Sequence, residues 1–228
     1  MLLRANWRAL LAETLGSALL AMVVVGSGIA AQQLSPTDVG LELLENALVT
    51  GAGLVALITA LGPISGAHFN PVVSVVMALR TKSSFAMAAA EVPFQIVGCI
   101  LGAVGANVMF ALPAVSISTH HRASGPHLFA EVIATAVLIV VIGSMVEHRQ
   151  FAAIPAVVGS TITAAYFFTS STSFANPAIT VGRMFSNSFA GIAPASAPGF
   201  IAAQVVGAAV GFGLLAALVP ATPLEGTP

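Results

Sequence analysis

The sequence predicts an all-α membrane protein, with six transmembrane helices, two re-entrant half-helices and an inverted internal repeat. Three observations predict it. Only 7% of the 228 residues are charged while 57% are apolar, whereas a soluble domain carries about a quarter charged residues. Six apolar stretches are long enough to cross a bilayer. Two further apolar pieces are too short to cross, and each begins with Asn-Pro. Backbone groups in hydrocarbon find no water, so the spans must be helical, and the short alternating strands of a membrane barrel are absent.

The first span runs from about Ala9 to Ala30. Arg4, Arg8 and the apolar run after them resemble a secretory leader, but the run is long for a leader core and contains Glu13. The second span runs from Leu43 to Leu61, the third from Phe85 to Phe110 and the fourth from His127 to Met145. The fifth runs from Phe151 to Phe168 and the sixth from Pro198 to Val219. Between spans two and three lies the first short piece, Pro71 to about Leu79. Between five and six lies the second, Pro177 to about Ser186. Asn is a good N-cap and Pro suits the first helical turn, so each piece reads as a half-helix starting at its Asn. The Pro-rich tail from Pro220 reads as unstructured.

An even number of spans puts both termini on one side. Arg4, Arg8, Arg80, Lys82 and Arg149 fall on that side, against Arg122 and Arg183 on the other. The excess of positive charge makes the termini cytoplasmic. The net charge of −1 gives no electrostatic case for nucleic acid. The single cysteine, Cys99, has no partner for an internal disulfide, and no Cys/His cluster has metal-ligand spacing. No metal or other cofactor is expected.

The halves, about 9–110 and 127–219, repeat each other within a single transmembrane domain covering 1–228. Glu13 parallels Glu131, Phe69-Asn70-Pro71 parallels Ala175-Asn176-Pro177, and Gln95-x-x-Gly98 parallels Gln204-x-x-Gly207. Three spans per half is an odd number, so the halves are inverted. Such repeats place a shared site near the midplane with half-helix N-termini pointing at it. Small residues four apart, Gly98 with Gly102 and Gly207 with Gly211, let helices approach closely.

On these residues the chain resembles the aquaporin and aquaglyceroporin (major intrinsic protein) superfamily, from Glu13 to Gly211, as a bacterial-type member. The segment Gly62-Pro63-Ile64-Ser65-Gly66-Ala67-His68-Phe69-Asn70-Pro71 is similar to the family's first signature loop, and Phe174-Ala175-Asn176-Pro177-Ala178 to the second. Val72 stands where the family usually has Ala. The resemblance implies a passive channel in a bacterial inner membrane, formed as a homotetramer with one pore per subunit. Asn70 and Asn176 would meet at the pore centre. Each would donate a side-chain N–H to passing water while its oxygen caps the helix. Glu13 and Glu131, acids inside spans, are expected to accept hydrogen bonds from the irregular signature loops rather than relay protons. Glu91 reads as a solvated residue near the interface. Gln95 and Gln204 are expected to bond between helices.

Carried over by offset from the two Asn residues, the family's selectivity filter falls at Thr50, Ala164, Ser173 and Ile179. That set holds neither an aromatic nor the usual Arg, which predicts a wide, weakly polar filter. Bulky neutral solutes follow: glycerol, urea and uncharged metalloid hydroxides, arsenite and methylated arsenicals included, together with water. A water-selective pore is the alternative. Arg183, one turn beyond Ile179, either lines the outer vestibule or binds a loop carbonyl. By resemblance His68 lines the cytoplasmic half of the pore, where a packed neutral ring is preferred to a pH gate. His120 and His121, adjacent in a loop, are poor candidates for a metal. Phe167 and Phe168 are expected to pack or face lipid. A secondary transporter or a junctional protein are rival readings. No enzyme site can be assembled from the pore residues.

Overall fold

The computed structural model describes residues 6–81 and 84–219. Arg4, Lys82 and the tail from Pro220 lie outside the described residues. The spanning helices are α1 (Trp7–Leu34), α2 (Val39–Ser65), α4 (Phe85–Met109), α5 (Gly125–Glu147), α6 (Ile154–Phe168, entered through a 3-10 turn at Phe151–Ala153) and α8 (Ala197–Leu218). All six are apolar and long enough to cross a membrane, counting α6 with its entry turn. The half-helices are α3 (Pro71–Thr81) and α7 (Pro177–Gly182). The second is shorter than the sequence suggests, because Arg183–Phe185 tightens into a 3-10 turn.

Caps mark the entries. The side chain of Asp38 accepts from Leu41 N at 3.0 Å and that of Ser84 from Met87 N at 3.2 Å, each satisfying a first-turn donor. At its far end α2 stops at Gly66, whose φ of +90° favours glycine.

Glycines fix the packing. A Cβ on Gly98 would lie 2.4 Å from Thr14 O, and one on Gly207 would lie 2.5 Å from Val132 O. These glycines bring α4 onto α1 and α8 onto α5 in the same way, one pair per repeat. The repeats join where α2 crosses α6: a Cβ on Gly159 would meet Gly51 O at 2.6 Å. With no apolar-versus-water force between helices in lipid, such close backbone approach holds the bundle through dispersion contacts. On the side of the termini Arg80 pairs with Glu147 at 2.5 Å and donates to Val219 O, tying the exit of α3 to α5 and α8. On the opposite side Arg122 donates to Gly191 O at 2.7 Å and Phe189 O at 2.6 Å, clamping the loop after α7.

Candidate functional site: the pore

Asn70 and Asn176 open the two half-helices and are nearly buried. Asn176 Oδ1 accepts from Ala178 N at 2.9 Å and Ile179 N at 3.2 Å, and Asn70 Oδ1 accepts from Val72 N at 3.2 Å. With both oxygens occupied by the helix starts, only the amide hydrogens remain to point elsewhere. One hydrogen of each crosses the repeat: Asn70 Nδ2 donates to Ala175 O at 2.8 Å and Asn176 Nδ2 to Phe69 O at 2.7 Å. The half-helices therefore meet head to head, and both Asn residues line one central cavity. A second N–H on each amide is left for a guest. The helix N-termini add about half a positive charge each. Pro71, Pro177 and Ala178 are buried behind the Asn pair. Val72 is buried too, its side chain in the core, so the departure from Ala leaves the Asn geometry intact.

The loops before each Asn hold Ala67, Phe69, Ser173 and Ala175 at φ between +47° and +51°. Residues with a Cβ occupy that region at a cost of about 1–3 kcal/mol each, so something must hold them there. Glu13 does so in the first loop. It accepts from Ser65 Oγ (2.7 Å), His68 N (3.0 Å), Phe69 N (2.7 Å) and Gln95 Nε2 (2.8 Å). Glu131 repeats this in the second loop, accepting from Ser171 Oγ (2.6 Å), Phe174 N (2.9 Å), Ala175 N (2.9 Å) and Gln204 Nε2 (2.7 Å). Every carboxylate oxygen is engaged by donors. Through these bonds Gln95 joins α4 to α1 and Gln204 joins α8 to α5.

The cavity encloses about 90 Å³ and is lined mainly by aliphatic side chains. Thr50, Ser173 and Ile179 line it. Ala164 does not: it is exposed on the outer face of α6. The lining face of that helix is Ile154, Val158, Ile162 and Tyr166, a stripe of period four, which puts Ala164 on the opposite side. Tyr166 fills the place assigned to Ala164, with its hydroxyl 3.3 Å from Thr50 Oγ1. An aromatic-free lining is therefore overturned. Phe174 also faces the cavity. Arg183 borders the cavity, and its Nε donates to the loop carbonyl of Ala190. Its guanidinium carbon lies 3.4 Å from the Phe174 ring centroid, a cation–π contact strengthened by burial.

His68 lines the cavity on the side of the termini and also borders a wider vestibule of about 740 Å³. Glu91 is not solvated: it is buried, accepting from Ser74 Oγ at 2.6 Å with His68 Nδ1 at 3.2 Å. Glu91 sits one turn before Gln95 on α4, and that spacing was the available signal. Phe167 and Phe168 are exposed on the outer face of α6 and do not line the cavity. No group of His, Cys, Asp or Glu able to hold a metal ion occurs among the described residues.

Residues 3–174 match the family described as Major intrinsic protein. Aquaglyceroporin AqpS of Rhizobium meliloti (strain 1021) is 45% identical over 219 residues, covering 95% of this chain and 93% of that protein. The lens fiber major intrinsic protein of Gallus gallus is 29% identical over 149 residues, 63% of this chain and 55% of that protein. Among solved structures, the aquaglyceroporin from Plasmodium falciparum shares the fold, with a TM-score of 0.70 over 94% of this chain and 96% of that one at 20% identity. With a near full-length relative and two facing Asn-Pro half-helices, this chain belongs to the major intrinsic protein family and is a passive membrane channel for small solutes.

Proposed function

We propose that the channel is aquaglyceroporin-like. It passes glycerol, urea and neutral metalloid hydroxides such as arsenite and methylated arsenicals, together with water, and has no enzymatic role. The convergence of Tyr166, Phe174 and Arg183 on the cavity that also holds Thr50, Ser173 and Ile179 carries this reading. Two aromatic faces accept the carbon side of a polyol. A guanidinium and three hydroxyls offer hydrogen bonds to its oxygens. A trihydroxy metalloid presents a similar set of oxygens. Thr50, Ser173, Ile179 and Tyr166 form the filter in this reading, with Arg183 as its cation. The buried positive charge of Arg183 and the two half-helix N-termini oppose passage of cations and protons.

The assembly is a homotetramer in the bacterial inner membrane with both termini cytoplasmic, the orientation favoured by Arg8, Arg80 and Arg149 on one side. The small volume of the cavity favours the alternative, a water-selective pore. Swelling of vesicles holding the purified channel separates the two. Entry of glycerol, urea and arsenite is expected, together with loss of glycerol entry in Ile179→Arg, which adds a second guanidinium to the same cavity. Fast water flux with all three solutes excluded overturns the proposal.

A further inference from the structure

Ile58, Gly66, His68 and Ile154 border both the central cavity and the vestibule, so they form the neck between the two. His68 is the one among them with a polar side chain. Its Nδ1 faces Ser74 Oγ at 3.1 Å and Glu91 Oε2 at 3.2 Å. A Cβ on Gly66, itself a neck residue, would lie 3.2 Å from His68 Nε2. No hydrogen bond from Nε2 to the protein occurs among the described residues. One ring nitrogen is thus tied into the wall, and the other is turned to the passage.

The proton on that ring follows by elimination. Gln95 Nε2 lies 2.8 Å from Glu13 Oε2 and 2.9 Å from Ser74 Oγ. The carboxylate fixes that atom as the amide nitrogen, so Gln95 donates to Ser74. The single hydroxyl proton of Ser74 then goes to Glu91 Oε2 at 2.6 Å. Nδ1 is left facing a carboxylate oxygen and a hydroxyl oxygen whose proton is already committed. A bare Nδ1 would set lone pairs against lone pairs. A protonated one donates to them.

We propose that Glu91 is a positioning residue of the pore: it holds His68 with the proton on Nδ1, so that Nε2 faces the neck as a hydrogen-bond acceptor for a passing hydroxyl. The proposal rests on the channel reading above for its role, though not for its geometry. Asn70 and Asn176 both donate, so a water or solute oxygen at the centre accepts, and the O–H groups of the column point away from it. On the side of the termini those groups next meet the neck. An acceptor there continues the column, and a donor interrupts it. Glu91 therefore acts on permeation without touching the solute. The inverted repeat shows that this is an addition to the frame. By offset from Gln95 and Gln204 the counterpart of Glu91 is Phe200, and by offset from Asn70 and Asn176 that of His68 is Phe174. Those two rings pack edge to face at 5.1 Å with no proton to place.

Nitrogen-15 NMR of histidine-labelled channel in lipid nanodiscs at pH 8 reads the tautomer directly, with the His68 signal identified by its absence in His68→Asn. The wild type is expected to show Nδ1–H. In Glu91→Leu the Ser74 hydroxyl loses its acceptor and donates to Nδ1, so the ring is expected to switch to Nε2–H. Glu91→Ala carries the same expectation should the Leu variant not assemble. Glu91→Gln, whose amide oxygen still accepts, is expected to keep Nδ1–H, as is Ser74→Ala. Water and glycerol flux should fall about two- to tenfold in Glu91→Leu, the effect of one mismatched hydrogen bond, and stay near wild type in Glu91→Gln. A wild-type ring in the Nε2–H form, as a protonated Glu91 donating to Nδ1 would produce, overturns the proposal. So does an Nδ1–H ring in the Leu and Ala variants. An Nδ1–H wild type that conducts no solute would leave the tautomer assignment standing and sink the channel reading instead.

Discussion

The two halves of the pore share a frame and differ in what they present. Around Glu13 and Glu131 each carboxylate binds a Ser hydroxyl, two loop N–H groups and a Gln amide. One position into each loop the likeness ends. The first half presents His68 backed by Ser74 and Glu91. The second presents Phe174 backed by Phe200 and covered by Arg183. Frame residues satisfy backbone groups that have no alternative partner at membrane depth, so both halves keep them. Residues facing the lumen are free of that demand and are shaped by what passes.

The sharpest test of a shared frame is to remove each acid. Glu13→Leu and Glu131→Leu each strand four donors, at about 1–3 kcal/mol apiece, a loss on the order of a whole folding stability. Both variants are expected to fail to assemble, measured as folded channel recovered from membranes. A well-folded Glu131→Leu beside a lost Glu13→Leu would break the equivalence.

Glycine contacts grade it next. A Cβ on Gly102 would meet Ala18 O at 2.0 Å, whereas one on Gly211 would meet Ala136 O at 2.8 Å. Gly102→Ala should therefore lower the thermal midpoint in detergent more than Gly211→Ala, with overpacking costs of about 1–3 kcal/mol. Equal shifts would mean that the first interface relaxes more easily than its spacing implies.

The difference between the lumens is tested by charge. Arg183→Ala removes the guanidinium from the outer half only. Cation leak through reconstituted channels is expected to rise several-fold, with the His68 side unaltered. An unchanged leak and unchanged solute flux would dismiss Arg183 from the pore. The smallest effect is expected from Tyr166→Phe, which keeps the ring and loses the hydroxyl contact with Thr50. It should cost about 1 kcal/mol of stability, and Thr50→Val should add little to it in a double-mutant cycle.

Hydropathy and the two Asn-Pro pairs were enough to read every span and both half-helices, and Glu13 and Glu131 stood out as acids within spans, where lipid leaves a carboxylate few options. Ala164 was misplaced for a definite reason. Counting back from an Asn through a loop accumulates offset, while helix phase does not. The stripe Ile154, Val158, Ile162, Tyr166 was visible in the sequence and would have found Tyr166. Glu91 was misread because an acid near the end of a span looks solvated, and its partners Ser74 and His68 lie 17 and 23 residues earlier in the chain. Distance along the chain concealed that cluster.

The reciprocal latch of Asn70 on Ala175 and Asn176 on Phe69 has a consequence for biosynthesis. As the ribosome delivers the chain, the first re-entrant segment is made more than a hundred residues before the carbonyl its asparagine needs. Until then that amide must bind water or a neighbouring backbone group, and the nascent half-protein stays open at its middle. The conduit closes only when the last third of the polypeptide arrives, so a truncated product would be inserted in the bilayer yet lack a finished passage.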